Sequence, residues 1–209
     1  MHFDMQCATG LRERRIAETS AHLIAVARAW TVDRGFNGFT IDELCDEVGI
    51  SRRTFFNYFA AKEDVVLGIA VRHDHLELEE RFLAGAGERR ANGLSEGLLG
   101  DLAELMIARW ESFGLGADKV DAMVAAIEAA PRLLGRAMQM SRDQEQGDIA
   151  LVERREVLSP GDLRASTVVH LLGSLLRGAV QETFHGNGRE PLRNAFARRL
   201  AAVRSIFAA

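Results

Sequence analysis

Between Ser51 and Lys62 the chain reads SRRTFFNYFAAK, which places two guanidiniums, an amide, a hydroxyl and aromatic rings within a few helical turns. On a helix turning about 100° per residue, Phe55 and Phe59 share one side with Tyr58 at its margin. Arg53, Thr54, Phe56 and Asn57 spread over the opposite arc, with Arg52 at the N-terminal border. Such groups suit base edges in a major groove: arginine grips guanine O6 and N7, asparagine grips adenine N6 and N7, and apolar atoms meet the thymine methyl. A merely solvated face accounts for them less well, because an aromatic ring set among two arginines and an asparagine does nothing for solubility. Lys62 stands where a new helix starts, and a cation there opposes the macrodipole. A phosphate contact explains it better, and the hydroxyl of Tyr58, four residues earlier, would reach the same backbone.

The elements that must hold this face lie just before it. Thr40 precedes Ile41 as an N-cap with Glu43 three residues on, the spacing of a capping box. Ile41, Leu44, Cys45 and Val48 recur at helical spacing, so one face is apolar and Asp42, Glu43, Asp46 and Glu47 line the other. Gly49 permits a tight left-handed turn, and Ser51 caps the next helix, Arg52 to Phe59. That helix is too short to stand alone in water and must be packed from behind. A first helix is expected from about Leu11 to Asp33, with Ile16, Leu23, Ala27 and Trp30 as its buried stripe. Residues 1–10 are expected to be a partly disordered lead-in. Arg12, Arg14 and Arg15 crowd the start of that helix; phosphate or minor-groove contacts and pairing with Glu13 or Glu18 both remain open.

Bulk properties narrow the class. The 209 residues are 47% hydrophobic with only 3 Pro, which favours an all-α chain with a substantial core. No alternating strand pattern, membrane-length apolar run or signal-peptide layout occurs, so a cytoplasmic protein with no membrane partner is expected. Cys7 and Cys45 are isolated, and His73 and His75, two apart, point in nearly opposite directions on a helix. Neither a disulfide framework nor a metal site is expected. The net charge of −4 argues against indiscriminate coating of nucleic acid. Up to Lys62 acids and bases balance, while Ser51 to Lys62 holds Arg52, Arg53 and Lys62 with no acid among them. A focused basic patch on an acidic body fits site-specific DNA binding.

Further helices follow. One long helix is expected from Lys62 through Phe82 to a break at Gly85 to Gly93, and others over Ser95–Ser112, Ala117–Ala130, Pro131–Val157, Asp162–Phe184 and Pro191–Phe207. The Asp162–Phe184 helix is apolar over much of its girth. Its Gly173, Ser174, Gly178 and Ala179 would let another helix approach closely, as a dimer interface or as a buried helix of the same chain. Two domains are expected: a helix-turn-helix domain over 1–62 and a helical domain over 63–209.

The run GFNGFTIDELCDEVGISRRTFFNYFAAKEDVV resembles the DNA-binding segment of TetR-family (TetR/AcrR) bacterial transcriptional regulators, and the motif match extends over about Leu11 to Leu67. The pattern is Gly-Phe, a Thr-capped helix, Gly-Ile-Ser, then Thr-Phe-Phe-x-Tyr-Phe and Lys-Glu-Asp. The resemblance puts Arg52, Arg53, Thr54, Phe56 and Asn57 at groove-facing positions, and Thr40, Tyr58 and Lys62 at phosphate-contacting ones; Ser51 joins the set at the mouth of the reading helix. Cys45 and Val48 depart from the alanines usual there, and Asp42 lies near where some members approach DNA.

The resemblance further implies double-stranded operator DNA as partner, a homodimer joined through the last two helices, and repression relieved by a pocket ligand. Leu171, Ser174, Leu175, Gly178 and Phe196 are the candidate interface residues. Met106, Trp110, Phe113, Met123, Ile127, Leu134, Met138 and His170 are the candidate pocket residues, and their methionine-rich chemistry suits an apolar small-molecule effector. A ligand-independent activator or architectural DNA protein is the alternative. No nucleophile elbow, phosphate loop, zinc-protease motif or dinucleotide fingerprint is present, so no catalytic residue, cofactor or metal is expected.

Overall fold

A computed structural model describes residues 3–69, 75–112, 117–185 and 190–207. His73, Phe113 and the turn at Gly186–Gly188 lie outside the described residues, as do the side chains of Arg12 and Arg14. The elements are α1 (Phe3–Arg34), α2 (Ile41–Val48), α3 (Arg52–Tyr58), α4 (Lys62–Leu67), α5 (Leu76–Ala84), α6 (Leu98–Ser112), α7 (Ala117–Ala129), α8 (Arg132–Glu156), α9 (Leu163–His185) and α10 (Leu192–Phe207). The protein is all-α, and among the described residues the only extended pairing is a single bridge between Arg89 and Ser95. No helix among them is long and apolar enough to cross a membrane.

Two expectations about helix ends are corrected. α1 starts at Phe3 rather than Leu11. Met5, Gln6 and Ala8 are good helix formers, and a single Gly10 costs only about 1 kcal/mol. The long helix expected from Lys62 to Phe82 breaks at Gly68, which adopts φ 82°. The amide of Ile69 donates to Asp64 O at 2.7 Å and that of Gly68 to Val65 O at 3.2 Å, which is the paired closure of a Schellman cap. Arg28 of α1 seals the same end: its Nε donates to Val66 O at 2.8 Å and its Nη2 to Leu67 O at 3.2 Å. Burial pushes this guanidinium down to about 10. A Cβ at Gly68 would sit 3.1 Å from Arg28 Nη2, so glycine there also makes room for the arginine.

The described chain forms two compact units, Met1–His73 with Asp121–Met138, and Asp74–Val120 with Gln139–Ala209. The first therefore takes in residues 63–73 and 121–138 beyond the expected 1–62. Its core is Leu23, Ala27, Phe36, Phe39, Leu44, Cys45, Phe55, Phe59, Val65, Val66 and Leu67 with Ala126, Ala130 and Leu133. Ile16, expected in the buried stripe of α1, is instead 37% exposed. The second unit packs Phe82, Leu102, Leu105, Ile107, Val152, Val169, Leu172 and Phe196 among others. Two charged clusters are buried within it. Arg109 donates to Asp148 and, at 2.7 Å, to Glu79. Arg155 donates to Phe82 O, Gly85 O and Asp101, beside a Glu156 that accepts from Ser95. Val157, just past α8, is a β-branched residue at φ 56°, a conformation that costs an L residue about 1–2 kcal/mol.

Candidate nucleic-acid interface

α2 and α3 are set by local chemistry. Thr40 Oγ1 accepts from Glu43 N at 3.2 Å, while the Thr40 amide donates to Glu43 Oε2 at 2.7 Å, so the capping box is complete. These hydrogen bonds from Thr40 hold the Glu43 carboxyl below the usual carboxylate range. Gly49 closes α2 at φ 74°, and Ser51 Oγ accepts from Thr54 N at 3.1 Å to open α3. The seven residues of α3 are then fixed from behind by Phe55 and Phe59, both fully buried with ring centroids 5.8 Å apart. Cys45 is buried behind α2, and that burial pushes its thiol up, which makes it core rather than a reactive group.

The outward face is the one expected. Arg52, Arg53 and Asn57 are exposed and Thr54 is half-buried. Phe56 leaves 43% of its surface in solvent, a large apolar ring displayed between the two arginines and the asparagine. Arg53 and Asn57 have no partner among the described residues. Tyr58 is half-buried with its ring 6.5 Å from that of Phe59, and its hydroxyl likewise has no partner there.

Three of the expected contacts are already committed within the chain. The Thr40 hydroxyl donates to Glu43 Oε2 at 2.9 Å, so a phosphate would have to displace the carboxylate. Lys62 turns inward: Nζ donates to the carbonyls of Phe36 and Phe39 and lies 3.7 Å from the Phe39 ring centroid. Partial burial, with Arg132 nearby, pulls its ammonium below the usual lysine range. Lys62 thus ties down the turn between α1 and α2, a role its reading as a phosphate contact did not include. Lys62→Met is expected to destabilise the protein by about 1.5–3 kcal/mol, the worth of hydrogen bonds to a charged group. Urea denaturation measures that loss; a salt slope of DNA binding lowered by about one, with stability intact, would return Lys62 to the phosphates. Arg52, expected to have no acidic neighbour, places Nη1 2.6 Å from Asp42 Oδ1 of α2 and lays its guanidinium 5.4 Å from the Phe56 ring centroid. Both partners of that pair are more than half exposed, so it contributes at most about 1 kcal/mol to stability. Sequence periodicity gave no sign of it, because the two residues meet only once the Gly49 turn is made.

The other expected site residues are distributed between the units. In the first, Met123 and Ile127 are half-buried, while Leu134 and Met138 are exposed. In the second, Met106 and Trp110 are half-buried against the core. His170 is exposed, with Nε2 3.1 Å from Glu145 Oε1. Ser174 of α9 is exposed and Leu171 and Leu175 are half-buried. Phe196 is only 2% exposed and packs in the chain's own core, so its ring is not available to a partner. Gly178 accommodates the chain's own Arg199: a Cβ there would lie 2.6 Å from Nη1. Among the described residues no group of three or more His, Cys, Asp or Glu is placed to hold a metal ion.

A capped short helix, a glycine turn and a second helix presenting its polar face define a helix-turn-helix protein. Residues 23–69 match the family model described as bacterial regulatory proteins, tetR family, so this segment is similar to the DNA-binding part of that family. It is 27% identical over 147 residues to the HTH-type transcriptional regulator TcmR of Streptomyces glaucescens, covering 70% of this chain and 64% of that protein. It is 30% identical over 76 residues to the HTH-type transcriptional repressor NemR of Escherichia coli K12, covering 35% and 38% respectively. The chain therefore spans less than two thirds of the length of either relative. A solved structure from Mesorhizobium loti MAFF303099, assigned to the TetR family of transcriptional regulators, aligns over 92% of this chain and 98% of its own, with 18% identity and a TM-score of 0.47.

Proposed function

We propose that this protein is a sequence-specific DNA-binding transcriptional regulator, acting as a homodimeric repressor that an apolar small molecule releases from its operator. The observation that carries the reading is Phe56, 43% exposed beside exposed Arg52, Arg53 and Asn57, on a helix whose other side is locked by fully buried Phe55 and Phe59. A rigid helix offering hydrogen-bond donors, an amide and an apolar ring matches the chemistry of a major groove. The name of the relative NemR, a transcriptional repressor, supports repression as the sign of regulation. The test is selection of duplexes from a random-sequence pool, followed by titration at several salt concentrations. Asn57→Ala is expected to relax preference at one base position at a cost of about 1–3 kcal/mol, and Tyr58→Ala to weaken all duplexes alike. Failure of the wild type to enrich any duplex would sink the reading.

One reading helix covers few base pairs, and pairing by a two-fold axis sets two of them roughly 34–36 Å apart on the same face of the duplex. The exposed edge of α9 around Ser174, flanked by half-buried Leu171 and Leu175, is the proposed contact. Leu175→Glu is expected to sediment as a monomer and lose operator binding; a persistent dimer counts against this interface. For the effector, Trp110 supports a site in the second unit, because its buried indole N–H has no hydrogen-bond partner among the described residues. A thermal-shift screen that finds stabilisers only among sugars or cations would overturn an apolar ligand.

A further inference from the structure

The pair between Asp42 and Arg52 is unexplained by stability or by affinity for DNA. Both side chains are more than half exposed, where solvent screens most of their attraction. An aspartate beside the reading helix also repels phosphates, and it neutralises one of the two arginines on α3, leaving Arg53 as the one without a partner among the described residues. What the pair does supply is orientation. Arg52 begins α3, and free in solution its long side chain would sample many rotamers. Asp42 Oδ1 fixes the guanidinium through Nη1 at 2.6 Å, and the Phe56 ring, one turn further along, lies 5.4 Å from Cζ. Two contacts from two different elements thus hold one exposed side chain. Nε and Nη2 have no acceptor among the described residues, and these are adjacent donors on one edge of the guanidinium. Two such donors match the O6 and N7 acceptors of guanine.

We propose that Asp42, which lies on α2 outside the reading helix, is a positioning residue for base discrimination: it holds Arg52 so that the Nε–Nη2 edge reads a guanine. This rests on the DNA-binding reading above. Selection by contact alone would favour an uncharged neighbour, whereas an aspartate exchanges some affinity for a pre-set arginine.

The experiment uses the full chain and the duplex that the wild type selects from a random-sequence pool, together with its single-base variants and a scrambled duplex. Arg52→Ala is expected to abolish discrimination at one G·C pair in each half-site. Asp42→Ala is expected to lose about tenfold or more of the discrimination at that same pair, while binding the scrambled duplex as well as or better than the wild type. Its salt slope rises by about one as the neutralised arginine becomes free for phosphate. Asp42→Asn, which keeps an oxygen within reach of Nη1, restores part of the lost discrimination. Two results overturn the proposal: Asp42→Ala tightening every duplex by one common factor, so that Asp42 only repels, or Arg52→Ala weakening every duplex alike, so that Arg52 only meets phosphate. Absence of any wild-type preference would defeat the DNA-binding reading itself, a distinct outcome. Both residues are surface-exposed, and unchanged circular dichroism of each variant excludes misfolding as the cause.

Discussion

Phe55→Ala is expected to cost the protein about 3–5 kcal/mol of stability, the range for emptying a phenylalanine site in a packed core. The ring is fully buried and stands 5.3 Å from Phe56 edge-on and 5.8 Å from Phe59. α3 has only 7 residues and no independent helical stability, so losing this anchor should remove DNA binding together with the fold around it. Phe56→Ala, one residue on, is expected to behave oppositely. With 43% of its surface already in water, its loss should change stability by less than about 1 kcal/mol while lowering affinity for the selected duplex. Urea unfolding followed by near-ultraviolet circular dichroism, in which Trp30 packed 5.5 Å from Phe39 reports on this unit, separates the two. Equal destabilisation by both variants would show that Phe56 belongs to the core and not to the reading face.

Glu156→Ala should be comparably severe for a different reason. The side chain is fully buried; Oε2 accepts from Ser95 N at 2.7 Å and Oε1 from Ser95 Oγ at 2.6 Å. Arg155, also fully buried, holds Nε 3.3 Å from Oε1, close enough for attraction although the N–H is not aimed for a hydrogen bond. Removing the carboxylate leaves a buried guanidinium with Asp101 as its remaining counter-ion and strands the Ser95 amide. Breaking one side of a buried pair costs about 3–5 kcal/mol. Glu156→Gln keeps one acceptor and should lose about 1–3 kcal/mol. A urea midpoint unchanged in Glu156→Ala would refute this account of the cluster.

Features set by neighbours in the chain were legible. The Thr40–Glu43 box, the left-handed Gly49 and the Ser51 cap depend on residues at most three apart, and α2, α3 and the helices from α6 onward end within a few residues of their expected limits. The outward set of Arg52, Arg53, Phe56 and Asn57 followed from helical spacing alone. Features set by distant partners were not legible. Lys62 looks like a free cation until the carbonyls of Phe36 and Phe39 come beneath it. Gly68 looks like a tolerated glycine in a helix until Arg28, 38 residues before Val66, is found sealing the end of α4. Gly178 reads as an opening for a partner helix, but the chain's own Arg199 lies across it. In each instance an arginine or lysine acts over long sequence distance, and its reach leaves no periodic trace.

The clamp at the start of α8 bears on how the reading head comes into being. Arg136 Nε donates to the buried carboxylate of Asp64 at 2.7 Å across 72 residues of sequence, and Arg132 Nη2 donates to Glu63 at 2.6 Å. Ala126, Ala130 and Leu133 complete the same core. During synthesis the recognition helix leaves the ribosome early, yet its unit lacks these pieces until the chain has extended past residue 136. For that interval the nascent head carries an unsheltered apolar patch and an unpaired Asp64. The recognition helix is therefore synthesised before the residues at 126–136 that complete its unit.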